Sequence, residues 1–301
     1  MKLATTTGDF GAYGLSQEES VRRIRKAGFR CADYNFGSDF AAKSGFFSAD
    51  WRAYGAHMNA IADEIGIKWV QAHSPMGRPL VRDEVHADFV AGTKRCIEAC
   101  ALLGIPNLVV HSGYVQGISK EECFERNRVF YRDLLTVAET CGVNILVENF
   151  NKMCVEGLYW IDNAPDLRAM VDYVDHPLFH ACWDVGHANM QDMPQQEALR
   201  IVGEHVYALH VQDNFGGDDS HMAPFCGTTN MDDLMHGLLD IGYKGYFTFE
   251  SCSIFLPARA RRQYAADTRL AQAPLGLRQK AEELIYEIGR YTLEAYGCFE
   301  E

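Results

Sequence analysis

An acid and a histidine three residues apart follow one of the most apolar stretches of the chain. The segment HACWDVGHAN, residues 180–189, contains Asp184 and His187 at the end of a run of residues typical of a buried strand. Val185 and Gly186 lie between them and are poor residues for the start of a helix, so a strand is predicted to end at Asp184. A carboxylate and an imidazole at a strand end can bind a divalent cation or move a proton.

Three further predicted strands end in residues of the same kinds. Glu148 ends LVENF, His210 lies in LHVQD, and Glu250 ends FTFES. Buried acids that converge on one place repel each other unless a cation pairs with them. A set of three carboxylates and one imidazole suits Mn²⁺, Mg²⁺ or Co²⁺ better than an ion that prefers thiolates. The predicted ligands of one shared ion are Glu148, Asp184, His210 and Glu250.

Taken singly, the same residues fit simpler roles. An acid at a strand end often caps a helix or forms an ion pair, and Asp213 in LHVQD fits a turn residue. His73 in QAHSP and His111 in VVHSG fit hydrogen-bonded residues at the rim of a sheet. The shared ion is favoured because four consecutive strands, the fifth to the eighth, each contribute one candidate ligand. His187 is then expected to lie just outside this set of ligands and to face a substrate.

The elements that must position these residues alternate regularly. Eight strand–helix units follow one another, from KLATTT with SQEESVRRIRKAG to YFTFES with RQKAEELIYEIGRYTLEAYG. The near-continuous apolar strands indicate a parallel sheet covered on both faces. Eight units predict an α/β fold, a single (β/α)₈ TIM barrel that spans residues 1–301 as one domain. Five helices are expected to end in a left-handed glycine: Gly28, Gly66, Gly104, Gly142 and Gly242.

Composition argues against several classes of protein. The chain has 28 Lys and Arg against 41 Asp and Glu, a net charge of −13 that opposes binding to DNA. No apolar run is long enough to span a bilayer, and the start MKLATTTGDFGAYG lacks the apolar middle of a signal peptide. The ten cysteines include no C-x-x-C pair and are expected to be reduced thiols. We therefore expect a cytoplasmic protein without nucleic-acid or membrane partners.

At these residues the sequence resembles the sugar phosphate isomerase/epimerase family of xylose isomerase-like TIM barrels, which includes ketose 3-epimerases and inositol-catabolism enzymes. The resemblance covers nearly the whole chain and is most specific in VENFNK, CWDVGHANM, ALHVQDN and GYKGYFTFE. It implies one divalent ion, most often Mn²⁺, with Mg²⁺, Co²⁺ or Zn²⁺ as alternatives. It assigns the ion to Glu148, Asp184, His210 and Glu250. Candidate substrate-binding residues are His187 and Asn151 by the resemblance, with Lys152, His73, His111 and His221 beside them.

The chemistry that the resemblance implies is abstraction of a proton next to a carbonyl of a sugar or keto-sugar. The ion acts as Lewis acid and template and stabilises the enediolate that forms. Glu148 and Glu250 are the expected catalytic bases on opposite faces of the carbon, one removing a proton and the other returning it. Epimerisation and isomerisation both fit. A dehydratase and a C-glycoside lyase, the latter with a partner subunit, begin with the same enolisation and stay open, as does a homo-oligomer.

The chain departs from ketose 3-epimerases at two positions. Cys154 replaces a second glutamate and Gly216 replaces an arginine. Both departures affect substrate binding rather than binding of the ion. They argue against a free ketohexose. Arg259, Arg261 and Arg262 in PARARRQY lie where a barrel often binds phosphate, although a solvated or subunit-contacting loop fits them as well.

Two rival interpretations use the same strand ends. Endonuclease IV-type enzymes cut abasic DNA with three zinc ions and use additional histidines at strands 3 and 4 and an Asp-x-His after strand 7. His73, His111, Asp219 and His221 occupy comparable places here. The acidic charge and the lack of basic loops oppose this interpretation. A barrel whose ion only joins strands is the third possibility, and the two glutamates that would share one ion argue against it.

Overall fold

The structure is a computed structural model that describes residues 1–151, 161–255 and 272–301. Eight strands form one parallel sheet. They are β1 (Lys2–Thr6), β2 (Cys31–Asn35), β3 (Lys68–His73), β4 (Asn107–Val109), β5 (Asn144–Glu148), β6 (Phe179–Asp184), β7 (Val206–His210) and β8 (Tyr246–Phe249). Their order in the sheet is β7-β6-β5-β4-β3-β2-β1-β8. Strands that follow one another in sequence are therefore paired from β1 to β7, and β1 also pairs with β8.

Val211, just past β7, joins the two outer strands of the sheet. Its N–H donates to the carbonyl of Thr248 at 2.8 Å, and its carbonyl accepts from the N–H of Glu250 at 3.0 Å. These bonds bring β7 against β8 and turn the sheet into a barrel. The predicted (β/α)₈ TIM barrel is confirmed.

Helices surround the barrel and connect its strands. Within the described ranges they are α1 (Gln17–Ala27), α2 (Gly37–Ala42), α3 (Trp51–Ile65), α4 (His86–Leu103), α5 (Lys120–Cys141), α6 (Ala164–Val174), α7 (Val185–Asn189), α8 (Gln195–Val202), α9 (Met231–Asp240) and α10 (Leu275–Ala295). No helix in this part of the chain is long and apolar enough to cross a membrane.

Most helix ends follow the predicted signals. Ser16 accepts from the N–H of Glu19 and forms a capping box with it at the start of α1. Gly28 ends α1 with a φ of 120° rather than in the left-handed conformation, and Ile241, not Gly242, caps α9. The left-handed C-caps that were predicted and found are Gly66, Gly104 and Gly142.

The start of α7 corrects the sequence prediction. A helix was not expected at Val185, yet α7 begins there and spans five residues. The side chain of Asp184 caps it by accepting from the N–H of His187 at 2.6 Å. This cap outweighs the weak helix propensity of Val185 and Gly186, and it fixes the spacing of Asp184 and His187.

Apolar side chains fill the barrel beneath its carboxyl end. Because side chains alternate along a strand, Leu146 shares the inner face of β5 with Glu148, two residues later. The same spacing places Cys182 below Asp184 and Ala208 below His210. These three apolar residues form a buried cluster with Val109 of β4. The polar residues at the strand ends therefore rest on an apolar layer inside the barrel.

Candidate active site

The four predicted ligands converge at the carboxyl end of the barrel. One donor atom of each residue lies within 4.8 Å of the corresponding atoms of the other three. Glu148 Oε1 lies 2.8 Å from His210 Nδ1, and Glu250 Oε2 lies 3.6 Å from the same nitrogen. Strands β5, β6 and β7 and the residue that follows β8 supply these groups. The arrangement brings together Glu148, Asp184, His210 and Glu250.

Asp184 shows most clearly that these residues fit a cation. Its side chain is completely buried. Its Oδ1 accepts from the N–H of His187 at 2.6 Å and from the side-chain amide of Gln212 at 3.3 Å. Its Oδ2 has no hydrogen-bond partner among the residues that the structure describes. A buried oxygen of this kind is costly unless a cation or donor reaches it, and hard divalent ions prefer such oxygens.

The charges in the site shift its pKa values strongly. Burial raises the pKa of Asp184 to about 7, and the neighbouring Glu148 and Asp219 act in the same direction. Burial by itself would also raise the pKa of Glu148, but His210 and His111 hold that pKa well below its ordinary value. Opposite shifts in adjacent carboxyl groups are typical of functional sites. Glu148 is therefore ionised in the neutral pH range.

His73 and His111 lie beside Glu148, on β3 and just after β4. His111 Nε2 lies 2.8 Å from Glu148 Oε2, and His73 Nε2 lies 3.5 Å from the same oxygen. The two Nε2 atoms are 3.1 Å apart, and Nδ1 of His73 donates to the carbonyl of Ser74. These two of the four predicted substrate-binding histidines thus lie at the site, in direct contact with a candidate base.

A second polar group adjoins the four ligands. Asp219 accepts from Nε2 of His187 at 3.2 Å and lies 3.3 Å from Nε2 of His221. The amide of Asn151 donates to Asp219 at 3.2 Å. Nδ1 of His221 donates to the carbonyl of Glu250 at 3.0 Å. The donor atoms of His187, Asp219 and His221 lie within 4.8 Å of one another, so they form a further set of potential metal ligands.

His187 is held in its charged form. Burial lowers its pKa, but the carboxylates of Asp184 and Asp219 outweigh burial and raise the pKa to about 10. Its Nδ1 donates to the carbonyl of Asn149 at 2.8 Å. Its Nε2 donates to Asp219, so both N–H groups of the ring are in use and His187 is a fixed, buried cation beside the four ligands.

Gln212 joins the two polar groups and was missed by the sequence analysis. Its amide donates to Asp219 Oδ1 at 2.8 Å and to Asp184 Oδ1 at 3.3 Å. A Cβ placed on Gly186 would lie 2.1 Å from Cδ of Gln212, so only glycine leaves room for this side chain. Gln212 follows His210 by two residues on the same face of the chain, a spacing that could have identified it.

Other predicted residues lie elsewhere or outside the described ranges. Asp213 is a turn residue: its carboxylate accepts from the N–H groups of Asn214, Gly227 and Thr229 at 2.8–3.0 Å. The predicted substrate-binding Lys152 lies outside the described residues. The same holds for Cys154, Arg259, Arg261 and Arg262.

Comparisons with known proteins agree with this fold. Residues 21–271 match the family model described as xylose isomerase-like TIM barrel. A D-psicose 3-epimerase of Ruminiclostridium cellulolyticum is 28% identical over 137 residues, which are 46% of this chain and 44% of that protein. A fructoselysine 3-epimerase of Escherichia coli O157:H7 is 26% identical over 129 residues, 41% of this chain and 44% of that protein. The chain thus matches less than half the length of these two relatives.

The similarity in three dimensions extends further along the chain. The crystal structure of D-psicose 3-epimerase with D-tagatose from Clostridium cellulolyticum H10 superposes with a TM-score of 0.77 at 19% identity. The superposition covers 97% of this chain and 99% of that one. The family match, the eight-stranded barrel and the resemblance of the strand ends lead to one conclusion: the chain belongs to the xylose isomerase-like TIM barrel family.

Proposed function

We propose that the protein is a divalent-metal-dependent sugar epimerase or isomerase that abstracts a proton next to a carbonyl. The observation that carries this proposal is the convergence of Glu148 and Glu250 on one nitrogen of His210, beside an oxygen of Asp184 that has no hydrogen-bond partner in the described part of the chain. The names of the two epimerase relatives support the same reaction class. Mn²⁺ is the proposed ion, with Mg²⁺, Co²⁺ and Zn²⁺ as alternatives on the same ligands.

Glu148 and Glu250 are proposed as both ligands and catalytic bases. They come from β5 and from the end of β8, so they approach the space between them from different sides of the barrel. The side chain of Glu250 is 16% exposed whereas that of Glu148 is 1% exposed, which places Glu250 nearer the open side. A bound divalent ion would supply Lewis acidity that stabilises an enediolate. The two carboxylates can then exchange protons with opposite faces of the substrate carbon.

The remaining polar residues are proposed to bind the substrate. His187 is a buried cation whose Nε2 donates to Asp219 and can bind a substrate oxygen that displaces this carboxylate. Asn151 and His221 lie next to it around Asp219. His73 and His111 lie on the side of Glu148, and Lys152 is retained from the resemblance. All of them are suited to hydroxyl and carbonyl oxygens, the groups of a small sugar or keto-sugar. We propose that such a molecule binds to a single domain of residues 1–301.

The backbone at Gly216 supports a substrate other than a free ketohexose. Its φ of +75° lies in the left-handed region, where a residue with a side chain is strained. The arginine that ketose 3-epimerases place there would therefore be disfavoured in this loop. Asp219, three residues later, instead directs a carboxylate toward His187 and His221. The exchange of an arginine for a carboxylate disfavours an anionic group of the substrate at this place, so a phosphate or an acid group would have to bind elsewhere.

Solvent exchange tests the proposal directly. Protein reconstituted with Mn²⁺ is incubated in D₂O with a panel of keto-sugars and their phosphates, and NMR follows the proton next to the carbonyl. We expect this proton to be replaced by deuterium for at least one member, and not by a Glu250→Gln variant. Exchange followed by loss of water or of an aglycone would identify the dehydratase or lyase alternative. No exchange with any member by metal-loaded protein would contradict the proposal.

A second candidate function is a metal-dependent phosphoester hydrolase of the endonuclease IV type. The specific observation that favours it is the presence of two additional donor groups beside the four ligands: His73 with His111, and the triad of His187, Asp219 and His221. The net charge of −13 opposes a DNA substrate. A plasmid with abasic sites separates the two functions, because nicking by Zn²⁺-loaded protein would favour the hydrolase and intact plasmid would favour the sugar enzyme.

A further inference from the structure

Asp33 is a buried carboxylate for which the proposed reaction has no role. It lies in β2 and has no exposed surface. Neither of its oxygens has a hydrogen-bond partner among the described residues. Burying an ionised carboxylate without a partner is strongly unfavourable, so this position calls for an explanation within the barrel.

The polar neighbours of Asp33 in the sheet do not satisfy it. Asp33 pairs in register with Thr6 of β1 and Gln71 of β3. Thr6 Oγ1 accepts from the N–H of Gly8, and the amide of Gln71 is directed at the carbonyl of Leu209 at 3.4 Å. The carboxylate is therefore not retained for hydrogen bonds to its adjacent strands.

The ionisable group that faces Asp33 is His210. Asp33 Oδ2 lies 3.7 Å from His210 Nε2, the one ion pair of Asp33 within the described part of the chain. The opposite edge of the same ring faces the proposed ion ligands, because Nδ1 lies 2.8 Å from Glu148 Oε1 and 3.6 Å from Glu250 Oε2. The imidazole thus lies between Asp33 on one edge and two glutamates on the other.

We propose that Asp33 is a positioning residue that keeps the proton of His210 on Nε2, so that Nδ1 presents its lone pair to the ion. This inference rests on the ion site of the proposed function. A neutral imidazole has one N–H and one free nitrogen, and the partner of the first decides which nitrogen is free for a cation. Without Asp33, Glu148 Oε1 at 2.8 Å from Nδ1 would draw the proton to that nitrogen. A protonated Nδ1 has no lone pair with which to bind the ion. Asp33 opposes that pull, directly or through one water, since 3.7 Å exceeds a hydrogen bond.

The test compares Asp33→Asn with a matched variant, Asp39→Asn. Both replace a buried acid by its amide, but Asp39 accepts a hydrogen bond from Tyr34 at 2.7 Å and belongs to none of the clusters of potential metal ligands among the described residues. We expect Asp33→Asn to weaken Mn²⁺ binding about 10- to 100-fold in a titration. Its metal-free Tm should fall less than that of Asp39→Asn, because Asp33 accepts no hydrogen bond from the described residues. Asp39→Asn should lower the metal-free Tm and leave the Kd for Mn²⁺ unchanged.

A second measurement needs no variant. In protein labelled with ¹⁵N-histidine and loaded with diamagnetic Zn²⁺ or Mg²⁺, the ring of His210 should carry its proton on Nε2 and none on Nδ1. An unchanged Kd in Asp33→Asn, or a proton on Nδ1 of the loaded wild type, would overturn the role of Asp33. Failure of the wild-type protein to bind any divalent ion would instead overturn the ion site of the proposed function, so the two failures are distinguishable.

Discussion

Asn149 joins β5 to β6 through both polar groups of its side chain. Its Oδ1 accepts from the N–H of Asp184 at 2.7 Å, and its Nδ2 donates to the carbonyl of Asp184 at 2.9 Å. The carbonyl of Asn149 in turn accepts from the ring of His187. One buried amide therefore fixes how Glu148, its neighbour in sequence, is spaced from Asp184 and His187.

Replacing Asn149 by alanine should disturb both stability and metal binding. The change removes both hydrogen bonds between the Asn149 side chain and the backbone of Asp184, which should lower the free energy of unfolding by about 1–3 kcal/mol. Binding of Mn²⁺ should weaken because the strand ends are no longer held together. Urea denaturation and a metal titration measure the two effects.

The matched control lies at the other end of the same strand. Asn144 donates to the side chain of Asn107 at 2.9 Å, and both are half-buried. Asn144→Ala should change the Kd for Mn²⁺ little. Equal affinity in Asn149→Ala and the wild type would show that this amide does not position the ligands.

Glutamine at either proposed base should stop proton exchange. Glu148→Gln and Glu250→Gln keep an oxygen near the ion but cannot accept a proton from carbon. We expect no deuterium uptake into a substrate by either variant, and a milder loss in His73→Ala. NMR in D₂O measures all three. Exchange at the wild-type rate in a glutamine variant would show that the bases are wrongly assigned.

Alanine at Gly186 should damage the contact between α7 and Gln212. The new Cβ would lie 2.1 Å from Cδ of Gln212, so the amide must leave Asp184 and Asp219. We expect a loss of about 1–3 kcal/mol in unfolding free energy together with weaker Mn²⁺ binding. Gly217→Ala is the control, since nothing lies within 4 Å of a Cβ there. Wild-type stability in Gly186→Ala would contradict the packing described.

Affinity for Mn²⁺ should depend on pH with a break near 7. In metal-free protein Asp184 has a pKa raised to about 7 by burial, so below pH 7 it holds a proton that the ion must displace. As the pH falls, the apparent Kd should therefore rise more steeply below pH 7 than between pH 8 and pH 7. The additional rise is about a factor of ten per pH unit. Titrations in non-chelating buffers from pH 5.5 to 8 provide the measurement. The same slope on both sides of pH 7 would exclude this role for Asp184.

The sequence contained enough information to predict the barrel and the convergence of the four candidate ligands, because both leave a periodic signal. Apolar strands alternate with capped helices, and Glu148, Asp184, His210 and Glu250 each end such a strand. Asn149 left no signal of this kind, because it acts on the backbone of another strand. The acid in CADYNF is conspicuous, but a single sequence does not reveal that His210 faces Asp33 across the barrel. The helix α7 depends on a cap and on packing against Gln212, which outweigh local propensity.

The central claim is that four residues at neighbouring strand ends share one divalent cation. Its most direct test is the metal affinity of the purified wild type and of Asp184→Ala, measured by Mn²⁺ titration and elemental analysis. We expect one tightly bound Mn²⁺ in that site and at least a hundredfold weaker binding in the variant, with Asp39→Asn unchanged. A wild-type protein that retains no divalent ion, or a variant that binds it equally well, would contradict the claim.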